Sequence, residues 1–213
     1  MHIKYNKYWR KTSFKQKGVG DFLLNHIKDS KSKNFLEIGI FHGVTSRNVC
    51  ELLYSMPGNN FKFTGIDLFL SEQEILAKEI APKVKFSNYL KNIYWNYIAR
   101  INPYSMESVL QLLKKFKNNI NIIKGDSNQV LKEINLKEID YVLLDGGHKY
   151  ETVKNDLENL TQVIHNNGLI LCDDYDLSYA PGVKKAIDEY VFNKNFNLKI
   201  LNSRFAEITQ KNL

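Results

Sequence analysis

Short apolar runs alternate along the chain with stretches whose apolar residues recur at helical spacing. That alternation predicts an α/β fold: a mostly parallel, doubly wound sheet covered by helices on both faces. GVGDFLLNHIKDS, 18–30, has the helical spacing and reads as a leading helix. NFLEIGI, 34–40, is a short apolar run containing a glycine near its end, and makes strand one. Residues 43–56 carry Val44, Val49, Leu52 and Leu53 on one helical side, and Pro57-Gly58 stops that helix. FKFTGIDLF (61–69), NINIIKG (119–125), IDYVLLD (139–145) and LILCDDY (169–175) are strands two to five. YETVKNDLENLTQVIHNNG, ended by Gly168, is the helix between strands four and five. VKKAIDEYVF is the next helix, and NLKILNS and RFAEITQ are two short strands joined tightly enough to pair antiparallel.

One stretch departs from the simple alternation. About fifty residues separate strands two and three, where one helix and two loops suffice. SMESVLQLLKKFK, 105–117, reads as the crossover helix, which leaves 71–104 as an insertion within a single domain spanning 1–213. The insertion carries Phe86, Tyr89, Tyr94, Trp95, Tyr97 and Tyr104. Aromatics this dense suit a substrate cap, an oligomer surface that would make the chain a homodimer, or a local mini-core.

Composition changes the picture in three places. A hydrophobic fraction of 43% and a charged fraction of 25% suit a globular protein with a full core. No run is apolar enough for a membrane span, and MHIKYNKYWRK lacks the apolar stretch of a secretory signal, so the expected location is cytoplasmic. Cys50, in a predicted helix, and Cys172, in a predicted core strand, read as reduced, buried thiols. The net charge is +7, and Lys4, Lys7, Arg10, Lys11, Lys15 and Lys17 all precede the first acid, Asp21. A basic leader, 1–17, can dock on nucleic acid or anionic lipid, or simply be solvated. Its interleaved Tyr5, Tyr8, Trp9 and Phe14 favour packing onto the domain or a sister subunit.

Candidate chemistry follows from what sits at the strand ends, because ligands of a parallel α/β sheet bind beyond the carboxyl ends of its strands. Strand one ends in Glu37-Ile38-Gly39, strand two in Asp67, and strand three in Gly125-Asp126-Ser127. Strand four ends in Asp145-Gly146-Gly147-His148, and strand five in Asp173-Asp174. An acid at five ends in succession points to a site. In the loop EIGIFHGVTS, Gly39 lets the backbone pass close to a ligand, Gly43 starts the next helix and Thr45 lies in its first turn. Phe41 stands where the dinucleotide fingerprint has its middle glycine and would obstruct a pyrophosphate, which argues against a nicotinamide or flavin dehydrogenase. Asp67, twenty-eight residues after Gly39, can accept from both hydroxyls of a ribose or cap its strand. Asp126 and Ser127 can read an adenine edge, cap the following helix, or both.

The order EIGxxxG, GID, KGDS, DGGHKYETVKNDLENL, GLILCDDY and PGVKKAIDEY resembles the class I S-adenosylmethionine-dependent methyltransferases. More narrowly it is similar to the macrocin-O-methyltransferase-like group, which modifies hydroxyls of sugars and natural products. The resemblance covers roughly 34–193 without the insertion, and the DGGHxYExVxxDL…DDY block is its most specific part. It implies a Rossmann-like methyltransferase fold of seven strands with the last antiparallel. It further implies S-adenosylmethionine over strands one to three, held by Glu37, Gly39, Gly43, Thr45, Asp67, Asp126, Ser127 and Asp145.

In such enzymes acids at the ends of strands four and five often hold a divalent cation, and the matching positions are Asp145, Asp173 and Asp174. Three carboxylates converging there repel unless a cation neutralises them or protons bridge them, and all-oxygen ligation favours Mg2+, Mn2+ or Ca2+ over zinc. The bland alternative is solvent-facing Asp145 and Asp174 with Asp173 capping a turn. His148 is the candidate general base beside Asp145, with weight added by Gly147, where some relatives carry an acid. His42 is an outside candidate, whereas His2, His26 and His165 read as surface or helix residues. The expected activity is O-methylation of a small-molecule or saccharide acceptor. Nucleic-acid methylation is the first rival, but Asp-Gly-Gly-His stands where base-amino methylation wants an Asn- or Asp-Pro-Pro-aromatic loop. A non-catalytic adenosylmethionine-binding protein is the second.

Overall fold

The structure, a computed structural model, describes residues 7–9, 12–57, 60–69, 90 and 104–211. The expected insertion lies outside them apart from Leu90 and Tyr104, as do the first six residues. Seven strands form one sheet: β1 (Asn34–Ile38), β2 (Lys62–Asp67), β3 (Ile120–Lys124), β4 (Tyr141–Leu144), β5 (Leu169–Cys172), β6 (Asn197–Leu201) and β7 (Phe205–Thr209). Their order is β3-β2-β1-β4-β5-β7-β6. The first five run parallel, and β7 lies antiparallel to both β5 and β6. The helices are α1 (Val19–Ser30), α2 (Val44–Ser55), α3 (Met106–Leu112), α4 (Ser127–Val130), α5 (Tyr150–His165) and α6 (Pro181–Lys194).

Strand parity sorts side chains into two cores, because successive residues point to opposite faces. Leu36, Ile38, Val142, Leu144, Ile170 and Cys172 pack under α5 and α6. Phe35, Phe63, Tyr141, Leu143, Leu171 and Phe205 pack under α1 and α2. All four residues of β4 are buried, as a strand covered on both faces requires. Glu37 has the parity of Phe35, so its carboxyl is forced into the α1–α2 layer.

The expected crossover helix over 105–117 is shorter than its pattern suggested. It stops at Leu112, and Lys114–Phe116 form a tighter 3-10 turn. Leu113 and Phe116, three residues apart and so on one side of the chain in either geometry, are both buried. Both cysteines are buried and free. Among the described residues no helix is long and apolar enough to cross a membrane.

The described part of the leader packs onto the domain. Phe14 is fully buried, with the Trp9 ring edge-on to it at 6.1 Å. A Cβ on Gly20 of α1 would fall 2.1 Å from the Trp9 ring, so only glycine there admits the indole. Thr12 caps the short turn Ser13–Lys15 by accepting from the Phe14 N–H at 3.0 Å. Thr12 and Ser13 are thereby brought to the strand ends, a placement the pattern of charges did not suggest.

Candidate active site

Strand order reverses between β1 and β4, and a cleft of about 600 Å³ opens there beyond the carboxyl ends. Gly39 passes close to the exit of β4. Its φ is +96°, and a Cβ on it would lie 2.0 Å from the Asp145 carbonyl oxygen. The cleft is lined by Gly39, Thr45, Asp67, Asp126, Ser127, Asp145, His148 and Asp174, all expected from sequence. Gly43 and Glu37 stand back from it. Gly43 starts α2 in the left-handed region and faces Val109 at 3.2 Å from where a Cβ would be.

Glu37 lies fully buried, with Oε2 accepting from the Ser46 hydroxyl at 2.6 Å and Oε1 without a hydrogen-bond partner among the described residues. Burial, opposed by Ser46 and reinforced by the charge of Asp67, pushes its pKa up to about 8. Asp67 ties the glycine loop to β2: Oδ2 accepts from the Phe41 N–H at 2.8 Å and Oδ1 from the Phe69 N–H at 2.7 Å. Asp126 caps α4, accepting from the Asn128 N–H at 2.9 Å, and still lines the cleft, so capping and lining coexist. Beneath that turn Asp156 of α5 is buried, and burial, against the Ser127 hydroxyl, raises its pKa to about 6.

On the other bank, oxygens of Asp145, Asp173 and Asp174 come within 4.8 Å of one another. Asp174 has φ +60°, a strained conformation of the kind that gathers at functional sites. Its Oδ2 meets His148 Nε2 at 2.8 Å and its Oδ1 accepts from the Tyr179 hydroxyl. Burial works against ionisation of Asp174, but the bonds from His148 and Tyr179 and the charge of Arg204 outweigh it and hold its pKa below the usual carboxylate value. Asp145 is pushed well up by removal from water and by the neighbouring Asp173, Asp174 and Glu37, with Arg204 opposing.

Arg204 is the charged residue of this bank that sequence reasoning missed. It lies in the turn between β6 and β7, buried, with Nε and Nη2 forked onto both oxygens of Asp173. The acids therefore have an internal counter-charge, and their convergence alone does not demand a metal. Asp174 is buried rather than solvent-facing, and the Asp173 carboxylate faces Arg204. The three acids fit a hard divalent cation in donor type and spacing, and among the described residues Asp145 is the one of the three with no ion pair to a protein cation. A weak signal was present in the sequence: Arg204 is the sole arginine after Arg100. Thr12, Ser13, Thr152 and Tyr179 also line the cleft unforeseen. His26, read as a helix residue, bonds Tyr141 at 2.9 Å and Glu207 at 2.8 Å away from the cleft.

Strand order, switch-point cleft and acids at the strand exits together define a Rossmann-like methyltransferase fold. Residues 36–175, more than half of the chain, match the family model described as a methyltransferase domain. The chain belongs to that family. Uncharacterized protein R132 of Acanthamoeba polyphaga mimivirus is 28% identical over 161 residues, a match covering 74% of this chain. The chain spans 58% of that curated relative's length. Among solved structures, the O-methyltransferase NovP superposes with TM-score 0.61 at 16% identity, covering 96% of this chain and 85% of that one. The SAH-bound methyltransferase PaMTH1 of Podospora anserina gives TM-score 0.57 at 17% identity, covering 91% and 78%. At such identities these likenesses establish the fold.

Proposed function

We propose that the chain is an S-adenosylmethionine-dependent O-methyltransferase acting on a hydroxyl of a small-molecule or saccharide acceptor, in the manner of the macrocin-like group. The observation that carries this reading is the charge of the cleft. Asp67, Asp126, Asp145 and Asp174 line it, with Lys149, His42 and His148 as the basic residues among the lining. That balance suits a ligand bearing a sulfonium and an ammonium and repels a pyrophosphate. Asp67 keeps lone pairs for two ribose hydroxyls while holding the glycine loop, and Asp126 and Ser127 border the adenine end. The SAH-bound neighbour and the O-methyltransferase neighbour agree with the reading.

His148 is the base in this scheme. Asp174 lies 2.8 Å from Nε2 of His148, so the imidazolium formed when the ring takes the acceptor's proton has a carboxylate to stabilise it. The acceptor oxygen then bonds to the methyl carbon as the carbon–sulfur bond breaks, leaving adenosylhomocysteine. Charge is neutralised in that step, so the protein contributes mainly positioning and exclusion of water. A divalent cation, Mg2+ by donor chemistry, held by Asp145, Asp173 and Asp174, would lower the pKa of the acceptor hydroxyl. Tyr179 and the leader residues Thr12 and Ser13 border the acceptor side of the cleft.

Thermal unfolding with adenosylhomocysteine tests the reading. Saturating ligand, at about 100 times Kd, should stabilise the protein by about 2.7 kcal/mol, and Asp67→Ala should abolish most of that gain. A melting curve indifferent to the ligand would remove the cofactor assignment. Added Mg2+ that changes neither melting nor ligand affinity would remove the metal.

A further inference from the structure

The acids after β4 and β5 are met by a cation that belongs to the chain itself. Arg204 forks onto both oxygens of Asp173, and its Nη2 also donates to Asp174 Oδ1 at 3.0 Å. The guanidinium is held from behind as well. Its Nη1 donates to the Ser13 carbonyl at 3.3 Å, and the Ser13 hydroxyl reaches Asp173 Oδ2 at 3.3 Å. The rings of Phe14 and Phe205 lie 5.3 and 5.8 Å from its central carbon, and the Tyr175 N–H donates to the Arg204 carbonyl at 2.9 Å. Leader, β5 exit and β6–β7 turn thus close around one buried positive charge, which is no freely rotating surface arginine.

We propose that Arg204 is a resident counter-ion that competes with a divalent cation for Asp173 and Asp174, so that metal enters only as the guanidinium releases Asp173. The inference rests on the metal reading of the three acids. Its physical basis is direct. A bidentate guanidinium uses the Asp173 lone pairs that a metal would need, and a dication at the focus of the three acids would stand within a few ångströms of another positive charge in poorly screened surroundings. Removing that charge leaves the same carboxylates in greater need of a cation.

The test is Mn2+ binding to the full chain after EDTA treatment, followed by electron paramagnetic resonance, in wild type, Arg204→Met and Arg204→Lys. Arg204→Met is expected to bind Mn2+ about tenfold or more tighter than wild type, and Arg204→Lys, which keeps the charge, to stay near the wild-type value. Unchanged or weaker binding by Arg204→Met, with wild type still binding, overturns the competition and leaves the metal reading intact. Binding by Arg204→Met alone supports it and removes the metal from the wild-type mechanism, and binding by neither sinks both. Should Arg204→Met fail to fold without metal, recovery in Mn2+ supports the proposal and failure to recover overturns it. In wild type, saturating Mg2+ must shift the Arg204 Nε–H resonance, and an unmoved resonance counts against displacement.

Discussion

The two banks of the cleft are built from different kinds of partner. On the β1–β2–β3 bank the acids are met by backbone and by near neighbours: Asp67 by the Phe41 and Phe69 N–H groups, Asp126 by that of Asn128, Glu37 through one oxygen by Ser46. On the β4–β5 bank they are satisfied by side chains from remote elements: Asp173 by Arg204, 31 residues away, and by Ser13, 160 away. Backbone N–H groups are supplied by almost any sequence that makes the turn. A guanidinium in a buried fork is supplied by one residue. The second bank therefore concentrates its stability and its charge balance in a single side chain.

The sharpest way to break this contrast is Arg204→Met in metal-free buffer. Leaving Asp173 and Asp174 uncompensated should cost about 3–5 kcal/mol, read by urea unfolding. A loss below about 1 kcal/mol would show that the second bank does not depend on its arginine. Gly39→Ala strikes the seam between the banks. With φ at +96° and the new Cβ driven onto the Asp145 carbonyl, it should cost on the order of 2–3 kcal/mol and lose adenosylhomocysteine binding. Retained binding in calorimetry would show that the strand ends can part without harm.

Glu37 sharpens the comparison by pH. Its folded pKa, about 8, stands above its ordinary 4.5, so the native state keeps a proton that the unfolded chain releases. Its contribution to stability is full below the lower value and is lost as pH rises through the upper one, with a slope of about 1.4 kcal/mol per pH unit between. Glu37→Gln should flatten the wild-type decline over that window in chemical unfolding at several pH values. An unaltered slope would show Glu37 already ionised in the folded protein.

Much of the first bank was legible because its signals are local. The period of the apolar runs places the strands, and acids two residues or fewer from a strand's end stay with that end however the helices pack. The crossover helix was read too long because the apolar spacing runs on through the 3-10 turn: Leu113 and Phe116, three apart, share a face in either geometry. The leader's aromatics were readable as packing residues, yet nothing in their order shows Ser13 reaching Asp173.

By itself the sequence determined the alternation of strand and helix, the switch-point cleft and the convergence of Asp67, Asp126, Asp145 and Asp174 on it. Parallel strands deliver their exits to the same side, so position along the chain is enough. The tertiary structure alone decided what each carboxylate faces: Glu37 inward under Ser46, Asp67 onto backbone, Asp173 onto Arg204. The state of a buried charge is set by whichever group stands across from it in space. For Asp173 that group comes from the far end of the chain.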